Sequence, residues 1–166
     1  HAYSRTEIQK LLRYSVERMV AFGFERPRSF RAGGWMAGPE VLKALALEGF
    51  RADSSALPTK YLTGKSVRKA RKWLENFWTD THELSQPYRY AFSGGQLLEF
   101  PNNGCLADYV AAEDMFQLFR QHWQLQSQQS KLSTLYFSIG FHQETAQRYL
   151  PRVTQALEQI YDFAHK

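Results

Sequence analysis

A guanidinium, an indole, a carboxylate and an imidazole occupy places in this chain where side chains can do chemistry. Arg31, Trp35 and Asp53 belong to one stretch, FRAGGWMAGPEVLKALALEGFRADSS, from Phe30 to Ser55. His142 closes a second segment, Ser138-Ile139-Gly140-Phe141-His142. A cation, a large aromatic plate and a carboxylate at one rim suit a polar, ring-shaped substrate. A histidine beside them titrates near neutral pH and can deliver a proton to a leaving group. Gly33, Gly34 and Phe141 complete the candidate substrate wall. A structural role suits the same residues: Arg and Asp at adjacent strand ends often form only an ion pair, Trp35 can be a lid on the core, and a histidine after a strand can simply cap a helix.

Those residues must be positioned by the elements around them. Arg28–Arg31 follows Pro27 and runs into Ala32-Gly33-Gly34, as a short strand entering a tight turn should. Pro39 suits a helix's first turn, Val41, Leu42, Leu45 and Ala46 recur at helical spacing, and Gly49 suits a left-handed cap. Phe50–Asp53 resumes as a strand. The unit is β-α-β, its strands are expected to be parallel, and chemistry in such units gathers at the strands' C-terminal ends.

Along the rest of the chain the pattern predicts helices over 6–22, 66–78, 111–125 and 144–163, the last kinked at Pro151. The first should bury Ile8, Leu11, Leu12, Val16, Met19 and Val20; the last should bury Ala146, Tyr149, Leu150, Val153, Leu157 and Ile160. Tyr88, Tyr90 and Phe92 alternate before Ser93-Gly94-Gly95, and Leu97–Phe100 follows, a β-hairpin signature. Parallel strands are expected near 28–31, 50–53, 97–100 and 133–138. Nothing divides the chain, and residues 1–166 read as one domain.

Composition sets bounds. A chain of 166 residues with 43% apolar content can build a real core, and its net charge of +5 is mild. Lys65, Arg68, Lys69, Arg71 and Lys72 cluster, but on the solvated face of an amphipathic segment, so no nucleic-acid partner is expected. One cysteine, Cys105, excludes an intramolecular disulfide and any cysteine-rich zinc site. No stretch has the length and apolarity of a membrane span or a signal peptide.

FRAGGW, then a helix, then GFRADSS resembles the third motif region of the polysaccharide (carbohydrate) deacetylase family of NodB-homology type. There an F-R-x segment continuing in proline or glycine precedes a helix and a strand ending D-S-S. The family's last strand also ends in histidine, and F-S-I-G-F-H stands in that place here; LLEFP, with Glu99, resembles a proline-terminated strand of divergent members. The resemblance implies a partial or distorted (β/α) barrel of the glycoside hydrolase/deacetylase type. It also implies metal-dependent removal of N- or O-linked acetyl groups from sugars. Arg31 would orient the catalytic aspartate, His142 would be the general acid, Asp53 would tune it, and Trp35 would line the sugar pocket.

The family's T-F-D-D-like strand would lie before residue 1. Its two-histidine motif is matched only by His1, because Arg5 stands where the second histidine belongs. A chain beginning at His1 rather than Met is therefore expected to be the carboxy-terminal part of a longer protein, a barrel lacking its N-terminal strands. A divalent metal, zinc foremost, is expected in the complete protein, with His1 the one candidate ligand here and no metal held by this chain alone. The expected partners are an acetylated carbohydrate, the missing N-terminal half of the barrel, and a second copy covering open strand edges. The alternative is a non-catalytic carbohydrate-binding or structural module that has lost its metal site. Cell envelope and the cytoplasmic side of polysaccharide biosynthesis both remain open as locations.

Overall fold

The computed structural model describes residues 3–62, 68–128 and 134–165. Helix α1 (Arg5–Ala21) opens with a capping box, in which the Ser4 hydroxyl accepts from the Glu7 amide and Glu7 reaches back to the Ser4 amide. It buries Leu12 and Val16, while Leu11, Met19 and Val20, expected inside, lie 41–52% exposed. Arg13 and Gln9 reach across to Glu48 at the end of α2 (Pro39–Leu47), each at 2.7 Å, which docks the two helices together.

Strand β1 (Ser29–Phe30) and strand β2 (Ala52–Asp53) flank α2 and pair in parallel. The β-α-β unit forms for the reasons its sequence suggests. Pro39 starts α2 without losing a needed donor, Leu42, Ala44 and Leu45 are buried, and Gly49 takes φ +85° after the last turn.

Beyond it lies α3 (Arg68–Phe77), with Leu74 buried, Lys72 exposed and Arg71 ion-paired to Glu75 one turn on. Lys65 and the start expected for this helix lie outside the described residues. The hairpin β3 (Tyr88–Phe92) and β4 (Gly95–Glu99) turns at Gly94, and β4 pairs in parallel with β2. The described sheet is therefore four-stranded and mixed, in the order β1-β2-β4-β3. With α4 (Ala112–Gln128) and α5 (Ala146–Ala164), the described residues form five α-helices and this sheet, a mixed α/β fold. No described helix is long and apolar enough to cross a membrane.

One expectation is corrected. Residues 134–138, the described part of the parallel strand expected near 133–138, form no strand. Beyond them Gly140 makes an isolated parallel bridge with Leu106. Side-chain amides replace the missing neighbour. Gln86 accepts from the Tyr136 amide and donates to the Tyr136 carbonyl, both at 3.0 Å, and Asn103 does the same for Ser138 N–H and Tyr136 C=O at 2.8 and 3.0 Å. The polar backbone of an apolar segment is thus satisfied without a ladder.

Gly104 makes this packing possible, since a Cβ there would lie 2.5 Å from the Ser138 carbonyl and 2.6 Å from Ile139 Cγ2. Gly104→Ala should cost roughly 1–3 kcal/mol through overpacking. Urea unfolding measures this, and an unchanged midpoint would show that the contact yields freely.

A second correction concerns α5, where Leu150 and Leu157 are each 50% exposed and the core side carries Val153 and Ala156. The helix continues through Pro151, five residues after its start.

Candidate functional site

The loops that follow β1, β2 and β4 are tied together by hydrogen bonds. The Ala32 amide donates to the Ser55 hydroxyl at 2.9 Å, and Ser55 donates through its amide and hydroxyl to Asp53 at 3.0 and 2.9 Å. Asn102 donates to the carbonyls of Ser54 and Ala56 at 2.8 and 2.9 Å. This lashing holds the glycine loop. Gly34 and Trp35 both take φ +59°, the left-handed region, which costs a tryptophan on the order of 1 kcal/mol. The Trp35 carbonyl is held in return by the Trp78 indole N–H at 3.0 Å.

The loop forms one wall of a cavity of about 290 Å³ lined by Arg31, Gly33, Gly34 and Trp35. Phe141, His142 and Leu106 complete its lining. Two segments more than a hundred positions apart in sequence thus bring six of the seven described candidate residues around one space. Arg31 is exposed there, and its Nε donates to Ser54 Oγ at 2.9 Å rather than pairing with Asp53. Trp35 is only 8% exposed, so it belongs to the core and to the cavity wall at once. Its ring meets that of His142 edge-on at 6.1 Å.

Asp53 is the residue that stands apart. It is buried, and its in-register neighbour across the parallel pair is Glu99, also buried. Two carboxyls removed from water side by side cannot both ionise cheaply. Burial, then the Asp53 charge, pushes Glu99 up to about 9, and burial raises Asp53 too. Glu99 Oε1 accepts from the Ala56 amide at 2.8 Å, and the retained proton belongs to the hydrogen bond between the Glu99 and Asp53 side chains. Asp53 therefore shapes the loop through Ser55.

The carboxylate beside His142 is Asp108, which sequence reasoning missed. His142 Nδ1 lies 3.0 Å from Asp108 Oδ1, and the His142 amide and Thr145 hydroxyl donate to the same carboxylate at 3.2 and 2.7 Å. Burial would raise the Asp108 carboxyl, but the bonds from Thr145 and His142 outweigh it and hold it below its usual range. Ionised, Asp108 selects the tautomer with its proton on Nδ1 and leaves Nε2 for a ligand. Asp108 sits in a turn with no periodicity to flag it. The parallel bridge between Leu106 and Gly140 is what brings it beside His142.

His122 is buried with both ring nitrogens engaged, by Gln86 at 2.9 Å and the Glu83 carbonyl at 2.8 Å, so its role is structural. His1, the candidate metal ligand, lies outside the described residues. Among the described residues no group of three or more His, Cys, Asp or Glu side chains could hold a metal ion. The donors described here do not fit a divalent metal, and no chemical step is assigned to one.

No protein-family profile, curated protein or solved structure matches this chain.

Proposed function

We propose that this chain carries the sugar-holding and proton-delivering wall of a carbohydrate deacetylase of the distorted-barrel type. The complete protein would remove N- or O-linked acetyl groups from a polysaccharide. The observation that carries this reading is the convergence of Arg31, the Gly33-Gly34 loop, Trp35, Phe141 and the Asp108-paired His142 on one cavity. Trp35 and Phe141 offer apolar faces to a sugar ring, and Arg31 offers donors to its oxygens. As the imidazolium, with Nδ1–H held by Asp108, His142 gives its Nε2 proton to the departing amine or alkoxide and is left as the neutral Nδ1–H tautomer. The reading leaves the activation of the attacking water, and any metal it uses, to residues other than the described ones.

A binding module built on the same cavity is the second reading, favoured by the absence of a metal-capable cluster among the described residues. Both place an acetylated saccharide in the cavity. The test is a titration of the isotope-labelled chain with an N-acetylated chito-oligosaccharide, followed at the backbone amides of residues 31–35 and 141–142. Shifts confined to that cavity support the reading, and their absence contradicts it.

A further inference from the structure

We propose that the cavity on the far side of Tyr109 is a second saccharide subsite, so that the protein grips two adjoining units of a chain; this rests on the carbohydrate reading of the first cavity. The ridge between the two spaces is the turn from Leu106 to Val110. Leu106 faces the His142 cavity, whereas Tyr109 and Val110 line a neighbouring cavity of about 310 Å³. The Tyr109 ring lies 6.2 Å from that of His142 and 6.1 Å from that of Trp35, and it lines the second cavity as well. Tyr109 thus lines the second cavity while its ring meets two side chains that line the first. Two spaces of nearly equal size, about 290 and 310 Å³, linked through that ring suit a ligand that repeats.

The chemistry of the second cavity narrows the ligand class. Lys60, Tyr61, Asp114, Gln117 and Gln121 line it, and Lys60 is ion-paired with Glu83. An anionic ligand would meet the Asp114 carboxylate and a lysine whose charge is already matched. Gln117 already donates to Glu113 and accepts from Arg120, which leaves Asp114 and Gln121 to meet a ligand. An apolar ligand would strip water from that carboxylate and amide with nothing to replace it. A neutral polyhydroxylated ring can donate to Asp114, both donate to and accept from the Gln121 amide, and pack on the phenol.

The experiment compares N-acetylglucosamine with its di- and trisaccharide by calorimetric or NMR titration of the chain. The structure predicts roughly a tenfold or greater gain in affinity from mono- to trisaccharide. Asp114→Ala and Gln121→Ala, both at exposed positions of α4, should remove most of that gain and leave monosaccharide binding unchanged. A monosaccharide that binds as tightly as the trisaccharide, or a gain that survives both substitutions, overturns the second subsite alone. If no saccharide of any length binds, the carbohydrate reading of the first cavity falls and takes this one with it.

Discussion

Between about pH 7 and about pH 9 the protein should lose stability at up to about 1.4 kcal/mol per pH unit, and Glu99→Gln should flatten that fall. Glu99 is held up to about 9 in the folded chain by burial beside Asp53, against an ordinary value of 4.5 when unfolded. The folded state therefore keeps a proton that the unfolded state has released. A group shifted this way gives its full stabilisation below its unfolded value and loses it as pH climbs to the folded one. Asp53, raised in the same direction, adds to the same trend.

Burial lowers His122 below its ordinary 6.5, which acts in the opposite sense only at more acidic pH. Cys105 is pushed up to about 12 from 9.0 and matters only above pH 9. The window from 7 to 9 thus isolates the carboxyl pair. Glutamine in place of Glu99 can still accept from the Ala56 amide and can donate to Asp53 without ionising. Glu99→Gln should match the parent near pH 5 and exceed it by roughly 2–4 kcal/mol at pH 8. Chemical unfolding across this range decides it. A parent whose stability is flat, or a variant that declines in parallel, would mean that the pair shares no proton.

On the deacetylase proposal, His142→Ala should lower acetate release by roughly 10²–10⁴-fold, the range a lost general acid usually costs. Asp108→Asn should cost a comparable factor, up to about 10⁴-fold, because its amide can donate to Nδ1 and select the wrong tautomer. The informative readout is rate set against unfolding stability. An Asp108→Asn variant that keeps the parent's stability and loses rate marks Asp108 as the group that holds the His142 ring through Nδ1. A loss of stability that accounts for the lost rate would instead mark Asp108 as a structural cap for the turn before α5. That alternative has a visible basis, since the same carboxylate accepts from the His142 amide and the Thr145 hydroxyl.

What could be read from the sequence was what local chemistry controls. Pro39, Gly49 and the helical spacing of Leu42 and Leu45 announce α2, and the aromatic alternation before Ser93-Gly94-Gly95 announces the hairpin. The place of Arg31 and Trp35 at one rim could be foreseen, because both follow the end of β1; His142 reaches the same cavity with no strand before it, beside the bridge between Gly140 and Leu106. What could not be read depends on partners far along the chain. Leu135-Tyr136-Phe137 has the composition of a strand, but its backbone is satisfied by Gln86 and Asn103, 50 and 33 positions from Tyr136. Asp53 looked like a tuning carboxylate until the register set it against Glu99. In α5 two apolar flanks compete, and only packing against α4 decides that Val153 and Ala156 go inward while Leu150 and Leu157 stay half exposed.

Backbone amide mapping with paired ligands tests the central claim most directly. The chain is titrated with N-acetylated chitotriose and, separately, with the same trisaccharide lacking its acetyl groups. A cavity built by Arg31, Trp35 and His142 to hold an acetylated sugar predicts shifts concentrated at residues 31–35, 106–109 and 141–142, saturating at lower concentration with the acetylated ligand. Equal response to both ligands would remove the acetyl group from the account. Shifts elsewhere, or none with either ligand, would contradict the assignment of this cavity to carbohydrate.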